Sequence, residues 1–114
     1  MTDTGLPHLP GVATVSEILT ALEAGYTELK FFPAQAAGGA NYLKSVSSPI
    51  PAAHFCPTGG ISTTNAAHYL ALQNVGCVGG SWITPSDVVA AHDWARVTEL
   101  AAAAATLSHQ RRPR

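Results

Sequence analysis

The sequence carries little charge, few cysteines and no long hydrophobic run. Only 11% of its 114 residues are charged, whereas 46% are hydrophobic, which argues against disorder and favours one domain with a buried core. Six basic residues against seven acidic ones give a formal net charge of −1, so the chain lacks the basic field that nucleic-acid binding requires. The one basic cluster lies at the carboxyl end, where we expect a frayed terminus.

The sequence lacks the patterns that would indicate a membrane span, a disulfide or a metal site. No apolar run approaches the roughly 18 residues that span a bilayer, and no leader opens the chain, so we expect a cytoplasmic protein. Cys56 and Cys77 lie in apolar segments without C-x-x-C spacing and are expected to be buried thiols. The histidines show no ligand spacing, so we infer no metal site (His8, His54, His68, His92 and His109).

Four strand–helix units are predicted along the chain. The expected strands cover residues 9–13, 28–33, 53–57 and 75–78. Capping boxes are predicted at residues 14–17 and 84–87, Ser62 is a candidate N-cap for the third helix, and the last helix is expected to break near Asp93. Strands that alternate with helices at short spacing imply a parallel sheet with right-handed crossovers. Ligands gather at the carboxyl ends of the strands in such folds.

One lysine interrupts an apolar strand. In the run from Glu28 to Ala34, alternation places Lys30 and Phe32 on one face and Leu29 and Phe31 on the other. An amine held among apolar groups favours its neutral form, which can condense with a ketone or aldehyde to give a Schiff base. The alternative is a structural lysine whose ammonium reaches water from the strand end.

The aromatic side chains are predicted to be structural. Phe31 and Phe32 are assigned to the core by default, and Trp82 and Trp94 are expected to pack between helix and sheet.

Two glycine pairs follow the last two predicted strands. Backbone N–H groups in the pairs 59–60 and 79–80 can close on a phosphate at the positive end of a helix, and the Ser81 hydroxyl can add a donor. Thr58 can offer a hydroxyl to a substrate carboxylate or keto oxygen, or it can cap the following helix. The alternative for the glycines is a pair of tight turns that need positive φ. A third pair, Gly38-Gly39, is expected to be a flexible turn beside the site.

Four linked motifs resemble one enzyme family. They are LPGVAT at residues 9–14, LKFFPA at 29–34, FCPTGGI at 55–61 and CVGGSW at 77–82. In order and spacing they resemble the KDPG/KHG aldolases, which act on 2-keto-3-deoxy-6-phosphogluconate and 4-hydroxy-2-oxoglutarate, but only their carboxy-terminal half. The resemblance implies an α/β fold of four consecutive βα units, half of a (β/α)₈ TIM barrel. We assign residues 9–107 to this half barrel, 1–8 to a short lead and 108–114 to a flexible basic tail.

The resemblance also implies a function. The family consists of class I aldolases, usually trimeric, that cleave the phosphorylated sugar acid to pyruvate and glyceraldehyde 3-phosphate, and it implies no cofactor. Lys30 matches the Schiff-base lysine and Thr58 matches a threonine near the pyruvate carboxylate. The phosphate end of the site matches Gly59, Gly60, Gly80 and Ser81, and we include Gly79 with them. The partner is therefore a small phosphorylated keto acid, with neither nucleic acid nor membrane involved.

The amino-terminal half of the family has no counterpart in the sequence. That half carries the proton-shuttling glutamate and an arginine and a threonine that bind substrate. Glu17, Glu23 and Glu28 are not placed at the carboxyl end of a strand, and Asp87 and Asp93 fit a capping residue and a solvated helix position. We therefore assign no general acid or base. Gln35 also stands where relatives often carry glutamate.

A half barrel leaves two edge strands unpaired, near Val12 and near Val78. We expect association, by pairing of two half barrels or by docking to a separate front half, or else aggregation. Two other functions stay open: a non-catalytic phosphate- or sugar-phosphate-binding remnant or partner subunit, and a purely structural α/β module.

Overall fold

The computed structural model describes residues 5–108 of the chain, so the first four residues of the predicted lead and residues 109–114 of the predicted tail lie outside the described part. Its elements are, in order, β1 (Gly11–Val12), α1 (Val15–Glu23), β2 (Glu28–Phe31), α2 (Gly39–Ser47), β3 (His54–Pro57), α3 (Ala66–Leu70), α4 (Ser86–Ala90) and α5 (Trp94–Ser108). A single 3-10 turn, Ser81–Ile83, precedes α4. The predicted alternation of strands and helices is confirmed through α3.

The strands form one parallel sheet in the order β1-β2-β3. The predicted fourth strand is wrong in form. Within the described residues it is reduced to two isolated parallel bridges, Phe55 with Val75 and Thr58 with Gly79. The segment therefore runs beside β3 in the expected direction without a continuous ladder. The Gly76 amide donates to the Phe55 carbonyl over 3.1 Å and the Gly79 amide donates to the Pro57 carbonyl over 2.9 Å, so these two glycines carry hydrogen bonds to β3.

The two faces of the sheet lie in different environments. We call Leu29, Phe31, Phe55 and Pro57 the outer face; all four are buried against α1, α2 and α3. We call Lys30, Phe32, Cys56 and Thr58 the inner face, and each of these is half-buried or exposed. Parallel sheets usually have both faces covered. Here the described residues cover only one.

Helix starts agree with the sequence only in part. The capping box of α1 is confirmed: the Glu17 amide donates to Thr14 Oγ1 over 3.2 Å, and the Thr14 amide donates to Glu17 Oε1 over 3.2 Å. The box predicted at residues 84–87 is wrong, because the N-cap of α4 falls on Pro85 and the helix has no side-chain cap. Asp93, predicted to be a solvated helix position, is exposed as expected but lies just before α5, where it accepts the Arg96 amide over 3.2 Å.

The third helix begins later than predicted. Ser62 is not its N-cap, since Asn65 holds that position. The break near Asp93 is confirmed, with His92 in the left-handed region at φ 55 between α4 and α5.

Several burial predictions are wrong because the described residues do not cover the side chains concerned. Trp94 is 58% exposed and stacks on His92 instead of packing between helix and sheet, whereas Trp82 does pack against the core. Cys56 is half-buried and Cys77 is exposed, so neither is a fully buried thiol. Within residues 5–108, no helix is long and apolar enough to cross a membrane.

Candidate active site

Lys30 lies in the middle strand of the sheet, on the inner face. Its register neighbours are Gly11 of β1 and Cys56 of β3, and its amide donates to the Pro10 carbonyl over 2.8 Å. Parallel register neighbours project to the same face, so Lys30 has a thiol on one side and a bare glycine on the other. A Cβ built at Gly11 would meet no atom within 4 Å. The lysine is half-buried and has free space on its β1 side.

Phe32 is part of this site and not of the core, which corrects the prediction. Its side chain is 49% exposed, and its ring centroid lies 5.0 Å from the Lys30 Nζ, a cation–π distance. The same ring abuts Gly59, where an added Cβ would come within 3.1 Å of the ring carbons Cδ1 and Cε1. Phe32 therefore forms a wall that joins the lysine to the first glycine pair.

Thr58 follows β3 directly and is half-buried on the inner face. Its hydroxyl lies 4.0 Å from the Cys56 Sγ and 2.7 Å from the point where a Cβ on Gly79 would sit. The alternative that Thr58 caps the next helix is wrong, because α3 begins at Ala66 with Asn65 as its N-cap. The hydroxyl therefore lies on the same sheet face as Lys30, over the second glycine pair.

The first glycine pair forms a turn that needs glycine. Gly59 and Gly60 have φ values of 100° and 76°, in the left-handed region that side chains disfavour. Among the described residues, neither amide donates a hydrogen bond, so both N–H groups are available. The predicted contribution of a helix terminus is wrong, since α3 starts six residues after Gly60. A turn of successive amides can still form an anion-binding concavity without a helix.

Neither member of the second glycine pair is among the glycines with positive φ, so the backbone conformation does not require glycine here. Glycine is needed because neighbouring atoms leave no space for a side chain. The Gly79 amide donates to the Pro57 carbonyl over 2.9 Å, so it is not available to a ligand. The Trp82 ring covers the position that a Cβ on Gly80 would take. Ser81 is exposed at the start of the 3-10 turn. The parallel bridge between Thr58 and Gly79 brings the two pairs side by side.

The turn after β2 is tied to the first glycine pair by hydrogen bonds that sequence reasoning missed. The Ala34 amide donates to the Thr58 carbonyl over 2.8 Å, and the Gln35 amide donates to the Gly59 carbonyl over 3.1 Å. The Gln35 side chain in turn accepts a hydrogen bond from the Tyr69 hydroxyl. Burial raises the pKa of Tyr69 above its usual value, because the ionised phenolate would lose its solvation. No local pattern in the sequence indicates this link.

The described carboxylates lie mostly at the ends of helices and strands. Glu23 is the last residue of α1, and Glu28 is the first residue of β2, at the opposite end from the glycine turns. Glu99 pairs with Arg96 in α5. The expectation that Glu17 is not at the carboxyl end of a strand is wrong for its side chain, because Glu17 Oε1, besides its part in the α1 cap, accepts the amide of Ala13, directly after β1, over 2.8 Å.

The family is decided by sequence comparison. The family model for KDPG and KHG aldolase matches residues 1–100. This chain belongs to the KDPG and KHG aldolase family. It is 52% identical over 97 residues to the 2-dehydro-3-deoxy-phosphogluconate aldolase of Pseudoalteromonas atlantica, which covers 85% of this chain and 45% of that protein. It is 47% identical over 100 residues to the KHG/KDPG aldolase of Escherichia coli, covering 88% of this chain and 47% of that protein.

A solved member of the family has the same fold. The KDPG aldolase of Legionella pneumophila, captured with pyruvate as a covalent carbinolamine intermediate, superposes with a TM-score of 0.85 at 52% identity. The superposition covers 87% of this chain and 48% of that one. The chain thus spans about half the length of the curated relatives it matches. The α/β fold expected from four βα units of a TIM barrel is confirmed.

Proposed function

We propose that this chain carries the imine-forming part of a class I aldolase site, with Lys30 as the nucleophile. The observation that carries the proposal is the placement of one half-buried lysine on the inner sheet face, with open space beside Gly11 and with Phe32 and the Gly59–Gly60 turn next to it. A relative of the same fold has been captured with pyruvate as a carbinolamine, which supports a covalent role for a nucleophile in this family.

The proposed substrate is 2-keto-3-deoxy-6-phosphogluconate. The neutral Lys30 amine attacks the keto carbon to give a carbinolamine, and loss of water gives an imine. Loss of the C4 hydroxyl proton accompanies cleavage of the C3–C4 bond and releases glyceraldehyde 3-phosphate. The electron pair of the broken bond is taken up by the protonated imine, which becomes an enamine. Protonation of the enamine carbon and hydrolysis return pyruvate and the free lysine. The same chemistry on 4-hydroxy-2-oxoglutarate gives pyruvate and glyoxylate.

The other site residues have proposed binding roles. The Thr58 hydroxyl is suited to the carboxylate of the pyruvate moiety, because it projects from the same face as the lysine. The amides of Gly59, Gly60 and Gly80 and the Ser81 hydroxyl are suited to the phosphate. Gly79 contributes its lack of a side chain, since a Cβ there would collide with Thr58. A phosphorylated, multiply charged substrate does not cross membranes unaided, which supports the proposed cytoplasmic location.

Proton transfer has no assigned residue in this chain. We expect the chain alone to cleave its substrate about 10²–10⁴-fold more slowly than an enzyme that holds a general acid or base. Because no general acid or base is assigned, a second candidate is a sugar-phosphate-binding subunit without turnover. Binding of glycerol 3-phosphate without any pyruvate adduct would select this second function.

We further propose that the β1 edge is covered by association. An apolar cleft of about 400 Å³ opens between β1 and α1, lined by residues that include Val12, Ala21 and Tyr26. A second half barrel, in a homo-oligomer or as a separate chain, would pair this edge and close the cleft. Sedimentation velocity of this chain distinguishes the two: a dimer or larger species supports the homo-oligomer, and a monodisperse monomer excludes it and leaves the separate chain.

Borohydride trapping with pyruvate tests the nucleophile. The chain has two lysines, Lys30 and the exposed Lys44, so the second serves as an internal control. Peptide mass spectrometry should place the reduced adduct on Lys30 in the native chain and in K44M, and should find none at that peptide in K30M. An adduct spread equally over both lysines would contradict the assignment.

A further inference from the structure

A buried tyrosine connects α3 to the turn after β2. Tyr69 is 1% exposed, and its hydroxyl donates to the Gln35 Oε1 although the two residues are 34 positions apart. The ring belongs to the core, so its position is fixed by packing. Gln35 is exposed, and an exposed glutamine side chain normally samples several rotamers. The hydrogen bond from Tyr69 therefore restrains the Gln35 side chain.

The fixed glutamine lies directly against the first glycine pair. A Cβ on Gly60 would come within 2.7 Å of Gln35 Cγ and 2.8 Å of Gln35 Cβ, and the Gln35 amide donates to the Gly59 carbonyl. Asn65 restrains the same turn from the other side. Its Nδ2 donates to the Gly60 carbonyl over 2.9 Å, and its Oδ1 accepts the Ser62 amide over 2.8 Å. Each carbonyl of the turn thus has a partner, whereas its two amides are left available.

We propose that the Tyr69 hydroxyl, acting through Gln35, is a positioning group that holds the Gly59–Gly60 turn in the conformation that receives the phosphate end of the substrate. This inference rests on the proposed function of the turn. Neither side chain needs to touch the substrate. They order the two amides before the substrate binds, so the entropy lost in ordering the turn does not weaken the affinity. Because burial raises the pKa of Tyr69, the hydroxyl stays a donor throughout the neutral range.

The test compares Y69F, Q35M and the Y69F/Q35M double variant of the full chain with a matched control. Y69F removes the donor, and Q35M removes the acceptor while keeping the methylenes beneath Gly60. Y42F is the control, since the Tyr42 hydroxyl also takes part in one hydrogen bond, which it accepts from the Val15 amide of α1 over 3.0 Å and not from the Gly59–Gly60 turn. The probes are glycerol 3-phosphate, measured by calorimetry, and pyruvate trapping on Lys30.

Loss of one hydrogen bond should weaken glycerol 3-phosphate binding about three- to tenfold in Y69F and in Q35M. The double variant should bind no more weakly than either single variant, because both remove the same link. Pyruvate trapping on Lys30 should stay within about twofold of the native chain, a split that a general loss of structure would not give. Y42F should bind the probe as the native chain does.

The outcomes separate this inference from the proposed function. Unchanged probe affinity in Y69F and Q35M would overturn the positioning role while trapping on Lys30 still supports the nucleophile. If the native chain does not bind glycerol 3-phosphate, both the positioning role and the phosphate assignment are overturned. Pyruvate trapping then tests the role of Lys30 by itself. If Y69F fails to fold, Q35M decides, because Gln35 is exposed and outside the core.

Discussion

Leu29 and Phe31 alternate with Lys30 and Phe32 along one strand, yet the two pairs lie in opposite environments. The first pair is fully buried against the helices, whereas Lys30 is half-buried and Phe32 is 49% exposed. The same contrast recurs on β3, where Phe55 is buried and Cys56 is not. The outer face therefore supports the fold, and the inner face can carry chemistry because little stability depends on it.

Truncating neighbouring phenylalanines should separate the two faces most sharply. We expect Phe31→Ala to lower the free energy of unfolding by about 3–5 kcal/mol, because it empties a fully buried site. Phe32→Ala should cost less than about 1 kcal/mol, because its side chain is half exposed. Denaturant unfolding followed by circular dichroism measures both. Equal losses would mean that the inner face is covered in solution.

A methyl group added at the strand ends should test how constrained the site is. Gly60→Ala should destabilise the chain by about 1–3 kcal/mol, since φ is 76° and the new Cβ would meet the Gln35 side chain. Gly11→Ala is the matched control on β1, where the added Cβ meets nothing and φ is not positive, and it should change stability by less than about 0.5 kcal/mol. The same unfolding assay applies. A harmless Gly60→Ala would show that the turn is not held as described.

Replacing Lys30, the proposed nucleophile, should remove pyruvate trapping and leave the fold intact. Lys30→Met should remove the pyruvate adduct but change the free energy of unfolding by less than about 1 kcal/mol, because the side chain is half exposed and makes no ion pair among the described residues. Thermal unfolding of K30M beside the native chain measures the second part. A large drop in its melting temperature would assign Lys30 a structural role.

Alkaline pH should give the smallest effect. The pKa of Tyr69 is raised in the folded chain above its unfolded value of 10.0, so the unfolded state releases this proton first as pH rises. The stabilisation is fully present below pH 10 and is lost as pH rises from there through the folded pKa. Urea unfolding at pH 9 to 11 should therefore show a shallower loss for Y69F than for the native chain. If the free energy of unfolding fell equally with pH in Y69F and in the native chain, Tyr69 would not be the cause of the loss.

The features that sequence predicted well are local ones. The α1 capping box depends on residues three apart, and the assignment of Lys30 to one sheet face depends on a two-residue period. Both patterns involve residues that are only a few positions apart in the chain. Phe32 was misassigned because burial depends on what covers a face, and nothing in the strand itself reveals that the inner face is open.

Non-local contacts explain the remaining gaps. The Tyr69–Gln35 bond joins residues 34 positions apart, and neither residue stands out in its own segment. The fourth strand is predicted at residues 75–78, but among the described residues this segment forms two isolated bridges, to Phe55 and to Thr58, and no continuous ladder. The first glycine pair follows β3 closely, and the bridge between Thr58 and Gly79 brings the second pair beside it. Their different causes, positive φ in one and the Trp82 and Thr58 contacts in the other, required the tertiary arrangement.

The ratio of adducts on the two lysines tests the central claim most directly. Native chain is incubated with pyruvate and borohydride, and the yields on Lys30 and Lys44 are compared in the same digest, beside a sample treated in concentrated urea. We predict that the native sample strongly favours Lys30 and that unfolding brings the two yields together. Equal yields in the native sample, or a preference that survives unfolding, would contradict a nucleophile created by the inner face of the fold.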